Sequence, residues 1–319
     1  MNSKNEMIVI VGVFGMGSLR IIPSLNRLLS SVSEVSRLSP YVKTIRDSLR
    51  VPDEEKIIVD ERGGLGPLNF SQKIELKELV FSYDDEEAPV INRVNLMIER
   101  GKSVGIVGPS GCGKSTLLEI IIGLLEPSSG VVLADDREIR DNLPSWSKKF
   151  GLVPQELCVF DDSLRRNVAF GVSDPEVDDE QIIKVLRLAN LADLVHSLPD
   201  GLDTNLGESG SLLSGGQRQR LVLARSLYRD PEILVLDEAT SALDHKNESQ
   251  ISHMLKNLSG NTTIIFIAHK ISTIRNFDKI VVMDAGKIVS TGTYSELVKE
   301  SSHFRSLISD FTLSDKKQR

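Results

Sequence analysis

Cysteine is nearly absent. Only Cys112 and Cys158 occur in 319 residues. Two are too few for a disulfide framework, their spacing fits no paired zinc motif, and the usage points to a reducing compartment. Aromatic residues make up 5% of the chain, so stacking platforms for bases or sugars are scarce. Positive charge is also short: 38 Lys+Arg against 45 Asp+Glu give a formal net charge of -7. A general electrostatic grip on nucleic acid needs the opposite balance. No internal repeat or low-complexity tract stands out. The rest is ordinary, at 40% hydrophobic and 26% charged. That composition excludes disorder as the main state and a chain made mostly of membrane spans, and the length suits one large domain or two modest ones.

The N-terminus departs from this average. Residues 7–19 (MIVIVGVFGMGSL) carry no charge; Arg20 follows, then Ile21, Ile22 and Pro23. An uncharged stretch of that length is short of the roughly 20 residues that span a bilayer. Three readings compete. A signal peptide suits Lys4 before the apolar run, but no small-x-small cleavage site is evident. A buried helix of a soluble protein suits the length. A single membrane helix continuing past Arg20 to about Leu29 suits the sequence on both sides, and it is the reading carried forward. Arg20, Arg27, Arg37 and Lys43 follow the run and only Lys4 precedes it, which puts the C-terminal side in the cytoplasm. Leu25, Leu28, Leu29, Val32 and Val35 keep helical spacing. Pro40 should interrupt, with the pattern resuming to Leu49, and residues 51–71 read as a charged, Gly/Pro-bearing linker.

From residue 72 strands and helices alternate. Strands are expected over 72–83, 94–98 and 103–107, and over the short apolar runs 233–236 and 263–268. Helices are expected over 117–125, 180–194 and 217–228. Residues 279–283 and 287–290 flank Ala285-Gly286 as a hairpin. The expected class is α/β, with a mostly parallel core and an antiparallel section before it.

Two segments carry chemistry. Gly108-Pro109-Ser110-Gly111-Cys112-Gly113-Lys114-Ser115 matches G-x-x-x-x-G-K-[ST] between a strand and a helix, the context that makes it a phosphate loop. Glycines let backbone N–H groups converge on phosphates, and the helix N-terminus adds partial positive charge. Lys114 is placed for the β- and γ-phosphates and Ser115 for Mg2+, with Thr116 next in the same turn. The run ending in Asp237 and Glu238 puts two carboxylates at the edge where parallel sheets bind ligands. Asp237 is read as a Mg2+ ligand and Glu238 as the group that polarises a water. Cys112 lies beside Lys114 and before a helix N-terminus, which favours a thiolate; a small loop filler is the equal alternative.

Leu213-Ser214-Gly215-Gly216-Gln217, continued by Arg218-Gln219-Arg220, resembles the signature motif of ABC-type ATPases, which other phosphate-loop enzymes lack. Further landmarks of that family occur in its order. Tyr83 is similar to the A-loop aromatic that stacks on adenine. Gln155 resembles the Q-loop residue of the catalytic and Mg2+ site. Gly207-Glu208-Ser209-Gly210 resembles the segment that touches the membrane domain in exporters. Asp244, in Ser241-Ala242-Leu243-Asp244, resembles the D-loop, and His269 the switch histidine. The resemblance covers about residues 72–312. It implies a P-loop NTPase of the ABC ATPase type, with a helical subdomain inserted at about 156–228 and a polar tail at 313–319. It also implies ATP and Mg2+ as cofactors. Gly215 and Gly216 open a second phosphate-binding helix N-terminus, which implies a partner ATP-binding domain, as a homodimer or heterodimer, with each signature closing over the other's ATP. His196, His245, His253 and His303 read as structural.

Arg20-Ile21-Ile22-Pro23-Ser24-Leu25-Asn26-Arg27 resembles the last transmembrane helix of exporter-type half-transporters, closest to the lipid-linked oligosaccharide flippase branch. The expectation for 1–50 is therefore a residual last span with its cytoplasmic extension, in an N-terminally truncated or split half-transporter. Implied partners are the rest of a transmembrane domain and membrane lipid, but no nucleic acid, with the ATPase on the cytoplasmic face of the cell inner membrane. The rival functions are a soluble ABC ATPase of DNA repair or translation, and a non-catalytic ATP-dependent dimerisation module.

Overall fold

The computed structural model describes residues 2–49, 66–84, 88–237, 254–256, 258, 260–268 and 270–317. It divides into two compact units, residues 1–62 and 63–319.

Among the described residues the first unit is one helix, α1 (Asn2–Leu49), with Pro23 and Pro40 inside it. The interruption expected at Pro40 does not occur. A proline removes one helix bond, which a helix absorbs where the chain on both sides is strongly helical. The described helix Met7–Arg46 is long enough to cross a membrane and contains an 18-residue stretch apolar enough to do so, with mean hydropathy 1.9. Phe14, Met16 and Leu19 are among the exposed apolar side chains along it.

The second unit begins with β1 (Lys73–Phe81), β2 (Ile91–Glu99), β3 (Ser103–Val107), α2 (Lys114–Ile122), β4 (Ser129–Ala134), β5 (Arg137–Glu138) and β6 (Phe150–Val153). A helical section follows: α3 (Leu164–Val168), α4 (Asp179–Leu188), α5 (Ala192–Ser197) and α6 (Gly215–Leu227). The chain then returns through β7 (Ile233–Asp237), β8 (Thr263–Ile267), β9 (Lys279–Asp284), β10 (Lys287–Gly292), α7 (Tyr294–Glu300) and α8 (Ser302–Lys317).

Two sheets result. The antiparallel one runs β2-β1-β4-β5 and the larger one β10-β9-β3-β8-β7-β6. In the larger sheet β9, β3, β8, β7 and β6 are parallel, and only β10 pairs antiparallel. Strands buried on both faces carry apolar residues at successive positions. Ile233, Val235, Ile265 and Ile267 join α2 and the antiparallel sheet in one core. Leu234, Leu236, Ile264 and Phe266 join the helical section in the other.

The helix expected over 180–194 is two. Asn190 takes φ 53° and the chain breaks between α4 and α5, a left-handed step that asparagine tolerates better than most residues. The hairpin turn is as expected, with Ala285 and Gly286 both at positive φ.

Candidate functional site

β3 is buried along its whole length and runs straight into Gly108. A side chain has no room there: a Cβ on Gly108 lies 2.2 Å from the Met283 carbonyl oxygen and 2.7 Å from Cys112 Sγ. Gly113 caps α2 at φ 99°, and a Cβ there meets the Val90 carbonyl oxygen at 2.8 Å. The loop is thus laid directly on neighbouring backbone, which only glycine permits. Its position is pinned by two bonds: Cys112 N–H donates to Pro109 O at 3.3 Å, and Gly286 N–H donates to Cys112 O at 3.2 Å. The β9–β10 turn therefore buttresses the loop from below. Pro109, Ser110 and Gly111 form its exposed crest.

Lys114 is only 6% exposed. Its Nζ donates to the carbonyls of Gly108 at 3.0 Å and Pro109 at 2.9 Å, so the ammonium folds back over the loop. Ser115 is exposed on the first turn of α2, and Thr116 is buried beside it. The Thr116 hydroxyl lies 3.1 Å from the phenol of Tyr83. Tyr83 is 60% exposed and stands edge-on to Phe81 with centroids 5.0 Å apart. The end of β1 thus presents an open aromatic face next to the phosphate loop.

The carboxyl ends of β3, β7 and β6 lie at one edge because these strands run parallel. That edge carries the phosphate loop after β3, Asp237 at the end of β7, and exposed Gln155 after β6. Glu238, Asp244 and His269 lie outside the described residues.

Among the described residues no three His, Cys, Asp or Glu side chains gather at one point. Ser115, on the first turn of α2, and Asp237, at the end of β7, are instead two hard-oxygen side chains of the kind Mg2+ uses when phosphates and water complete its coordination. The glycine cradle, the buried ammonium and this pair fit a nucleoside triphosphate with Mg2+.

Ser214 is the N-cap of α6. It accepts from Gln217 N–H at 3.3 Å, and Gln217 Oε1 accepts from Ser214 N–H at 2.8 Å. This capping box turns both side chains inward on the helix start. Gly215 and Gly216 follow with their amides at the N-terminus, and a Cβ on Gly215 meets nothing within 4 Å. These bonds run within the helix start, not to loop 108–116, so the signature forms its own open end.

The surroundings of Cys112 disfavour a thiolate. Burial pushes its pKa up, against the weaker opposing pull of Lys114. It is 5% exposed, and it fits the reading of a small loop filler.

Sequence reasoning passed over Arg225 and Asn167. Arg225 sits one helical turn after Leu221, on the buried side of α6, where an arginine among apolar residues was the available signal. Asn167, in α3, is fully buried. Its Nδ2 donates to the carbonyls of Phe160 at 3.0 Å, Asp162 at 3.2 Å and Ser163 at 3.0 Å.

Residues 91–241 match the ABC transporter family. The chain is 42% identical over 254 residues to proteins of Staphylococcus aureus, strains bovine RF122 / ET3-1 and NCTC 8325, described as multidrug export ATP-binding/permease proteins. The aligned segment is 78% of this chain and 44% of each relative, so the chain spans under half the length of these relatives. Its structure is similar to that of a bacterial Atm1-family ABC exporter with ATP bound, with TM-score 0.73 at 30% identity, over 86% of this chain and 49% of that one. The phosphate loop on β3, the Asp237 edge and the signature helix are therefore parts of an ABC-type P-loop ATPase fold, and residues 91–241 carry the match to the ABC transporter family.

Proposed function

We propose that this chain is the ATP-hydrolysing part of an ABC exporter, coupling ATP-driven closure of two ATP-binding domains to movement of membrane helices. The observation that carries the reading is the buried Lys114 ammonium, held over a loop in which Gly108 leaves no space for a Cβ. Such a loop is built to bring backbone N–H groups and one cation against phosphates.

In this reading Lys114 and the backbone N–H groups of 110–116 hold the β- and γ-phosphates, and Tyr83 stacks on the adenine. Ser115, Asp237 and Gln155 hold Mg2+, which neutralises charge on the phosphates when bound. Glu238 orients the attacking water and His269 senses the γ-phosphate. Ser214, Gly215, Gly216, Gln217 and Asp244 act on ATP held by a partner domain. The working boundaries are 72–312 for the ATP-binding domain, with helical residues 156–228, preceded by a membrane helix with its extension in 1–50 and a linker at 51–71. A polar tail at 313–319 follows. The apolar length of α1 supports membrane attachment, and Arg20, Arg27, Arg37 and Lys43 support a cytoplasmic ATPase; the membrane is then the cell inner membrane. The cargo is an amphipathic or lipid-linked molecule, a reading supported by the resemblance of residues 20–27 to the flippase branch.

The test is ATP turnover by the purified chain and by Glu238→Gln. The variant is expected to bind ATP, to turn it over at least on the order of 10²-fold more slowly, and to accumulate as an ATP-bound dimer. Wild-type-like turnover in the variant contradicts the assignment.

A further inference from the structure

Arg225 projects from α6 into the loop that follows Gln155. Its Nε donates to Asn167 O at 2.7 Å, its Nη1 to Cys158 O at 2.7 Å, and its Nη2 to Asn167 Oδ1 at 2.8 Å. The same guanidinium lies 5.1 Å from the Phe160 ring centroid and 5.5 Å from that of Phe170. Those two rings stack on each other at 4.5 Å with an interplanar angle of 2°. Asn167 completes the network. Its Oδ1 also accepts from Phe160 N–H at 3.0 Å while its amide holds three carbonyls of the same loop.

This is a costly way to build mere stability. Arg225 is half-buried, and no described carboxylate forms an ion pair with it. Burial pushes its pKa down, and a guanidinium stays charged nevertheless. Apolar replacements of buried charged groups are often neutral or stabilising. A charge whose acceptors are two carbonyls, one amide oxygen and two ring faces is satisfied in one loop position. It therefore specifies geometry more than it adds stability.

The geometry points to a linkage: we propose that Arg225 is a positioning residue that locks the loop carrying Gln155 to the helix that begins at Ser214. The inference rests on the composite-site reading above. Cys158 is three residues beyond Gln155, and Arg225 is on the same 13-residue helix whose N-cap is Ser214. A displacement of the loop that carries Gln155 then moves the signature end of α6 as a rigid body. Arg225 thus serves two sites at once: the Gln155 edge of its own chain's nucleotide site, and the signature that its chain offers to the partner's.

The experiment uses the full chain. Arg225→Lys keeps the charge and loses the planar fork; Arg225→Gln keeps a planar amide and loses the charge, and stands in should the first variant not fold. Either is expected to keep its ATP affinity and KM within about twofold while kcat falls roughly tenfold, well below the melting temperature. A role in stability alone moves the melting temperature and leaves kcat at low temperature intact, which overturns the proposal.

The second arm mixes variants. Lys114→Ala with Ser214→Arg should regain activity, because one heterodimer site keeps both normal halves. Lys114→Ala with Arg225→Lys should regain only part of it, because the surviving phosphate loop meets a normal signature but still sits beside a misplaced Gln155. Full regain in that second mixture overturns the linkage and leaves the composite site standing. Absence of regain in the first mixture overturns the composite site, and this inference with it.

Discussion

The phenolic oxygen of Tyr83 lies 3.1 Å from the hydroxyl of Thr116. An exposed ring at the end of the first strand is thereby hydrogen-bonded to the helix that opens with Lys114. The hydroxyl of Thr116 and the ring of Phe81 both hold this ring, and they make separable predictions. Tyr83→Phe keeps the ring face and the Phe81 contact, so ATP affinity should stay within about threefold, the worth of one exposed neutral hydrogen bond. Tyr83→Ala removes the face and should weaken ATP binding on the order of tenfold, the scale of one base–aromatic stack. Titration with a fluorescent ATP analogue measures both, and an alanine variant that binds like wild type removes Tyr83 from the adenine site.

Cys112 should label slowly. Burial raises its thiol pKa, so the thiolate fraction at neutral pH is below that of an ordinary cysteine. Alkylation of the Cys158→Ser chain, monitored by mass, should accelerate as pH rises beyond the usual thiol range of about 8.5. Fast labelling at pH 7 contradicts this environment.

Asp135 ties the start of β1 to the turn after β4. Its carboxylate accepts from the N–H groups of Ser71, Gln72 and Lys73 at 3.0, 2.8 and 3.0 Å, and from the Ser71 hydroxyl at 2.7 Å. Burial alone raises its pKa, but these bonds outweigh it and hold the carboxyl below the usual range. A depressed folded pKa contributes stability that is present above the unfolded value of about 3.9 and is lost as pH falls through the folded value. Asp135→Asn should therefore cost roughly 1–3 kcal/mol at neutral pH, and the gap should close in acid. Denaturant melts of both chains from pH 7 down to about pH 2, below the ordinary carboxylate range, check this; a gap independent of pH contradicts it.

Removal of residues 1–50 should abolish membrane attachment. The full chain exposes apolar side chains along α1, and these should carry it to the top of a gradient with liposomes. The 51–319 chain should stay in the soluble fraction and still bind ATP. Equal flotation of the two contradicts the membrane-helix reading.

Local rules explain what could be read in advance. β3 and the phosphate loop were legible because a wholly buried strand and an αL glycine at Gly113 leave direct sequence traces. Ser214 was legible as a helix start, but its S-x-x-Q pattern with Gln217 also writes a capping box, and sequence cannot separate capping from ligand contact. β4 was hidden because Gly130 weakens any strand pattern at its start and its pairing with β1 is long-range. The break at Asn190 was hidden because hydrophobic periodicity continues across it. Arg225 was hidden because its acceptors, Asn167 and Cys158, are 58 and 67 residues away.

In the proposed function two chains together form each ATP site. The most direct measurement is ATP turnover per chain as a function of chain concentration. A site completed by a partner's Ser214 end predicts turnover per chain that rises with concentration and then saturates, with Lys114→Ala inactive throughout. Turnover per chain that is measurable and independent of concentration down to the most dilute sample contradicts it.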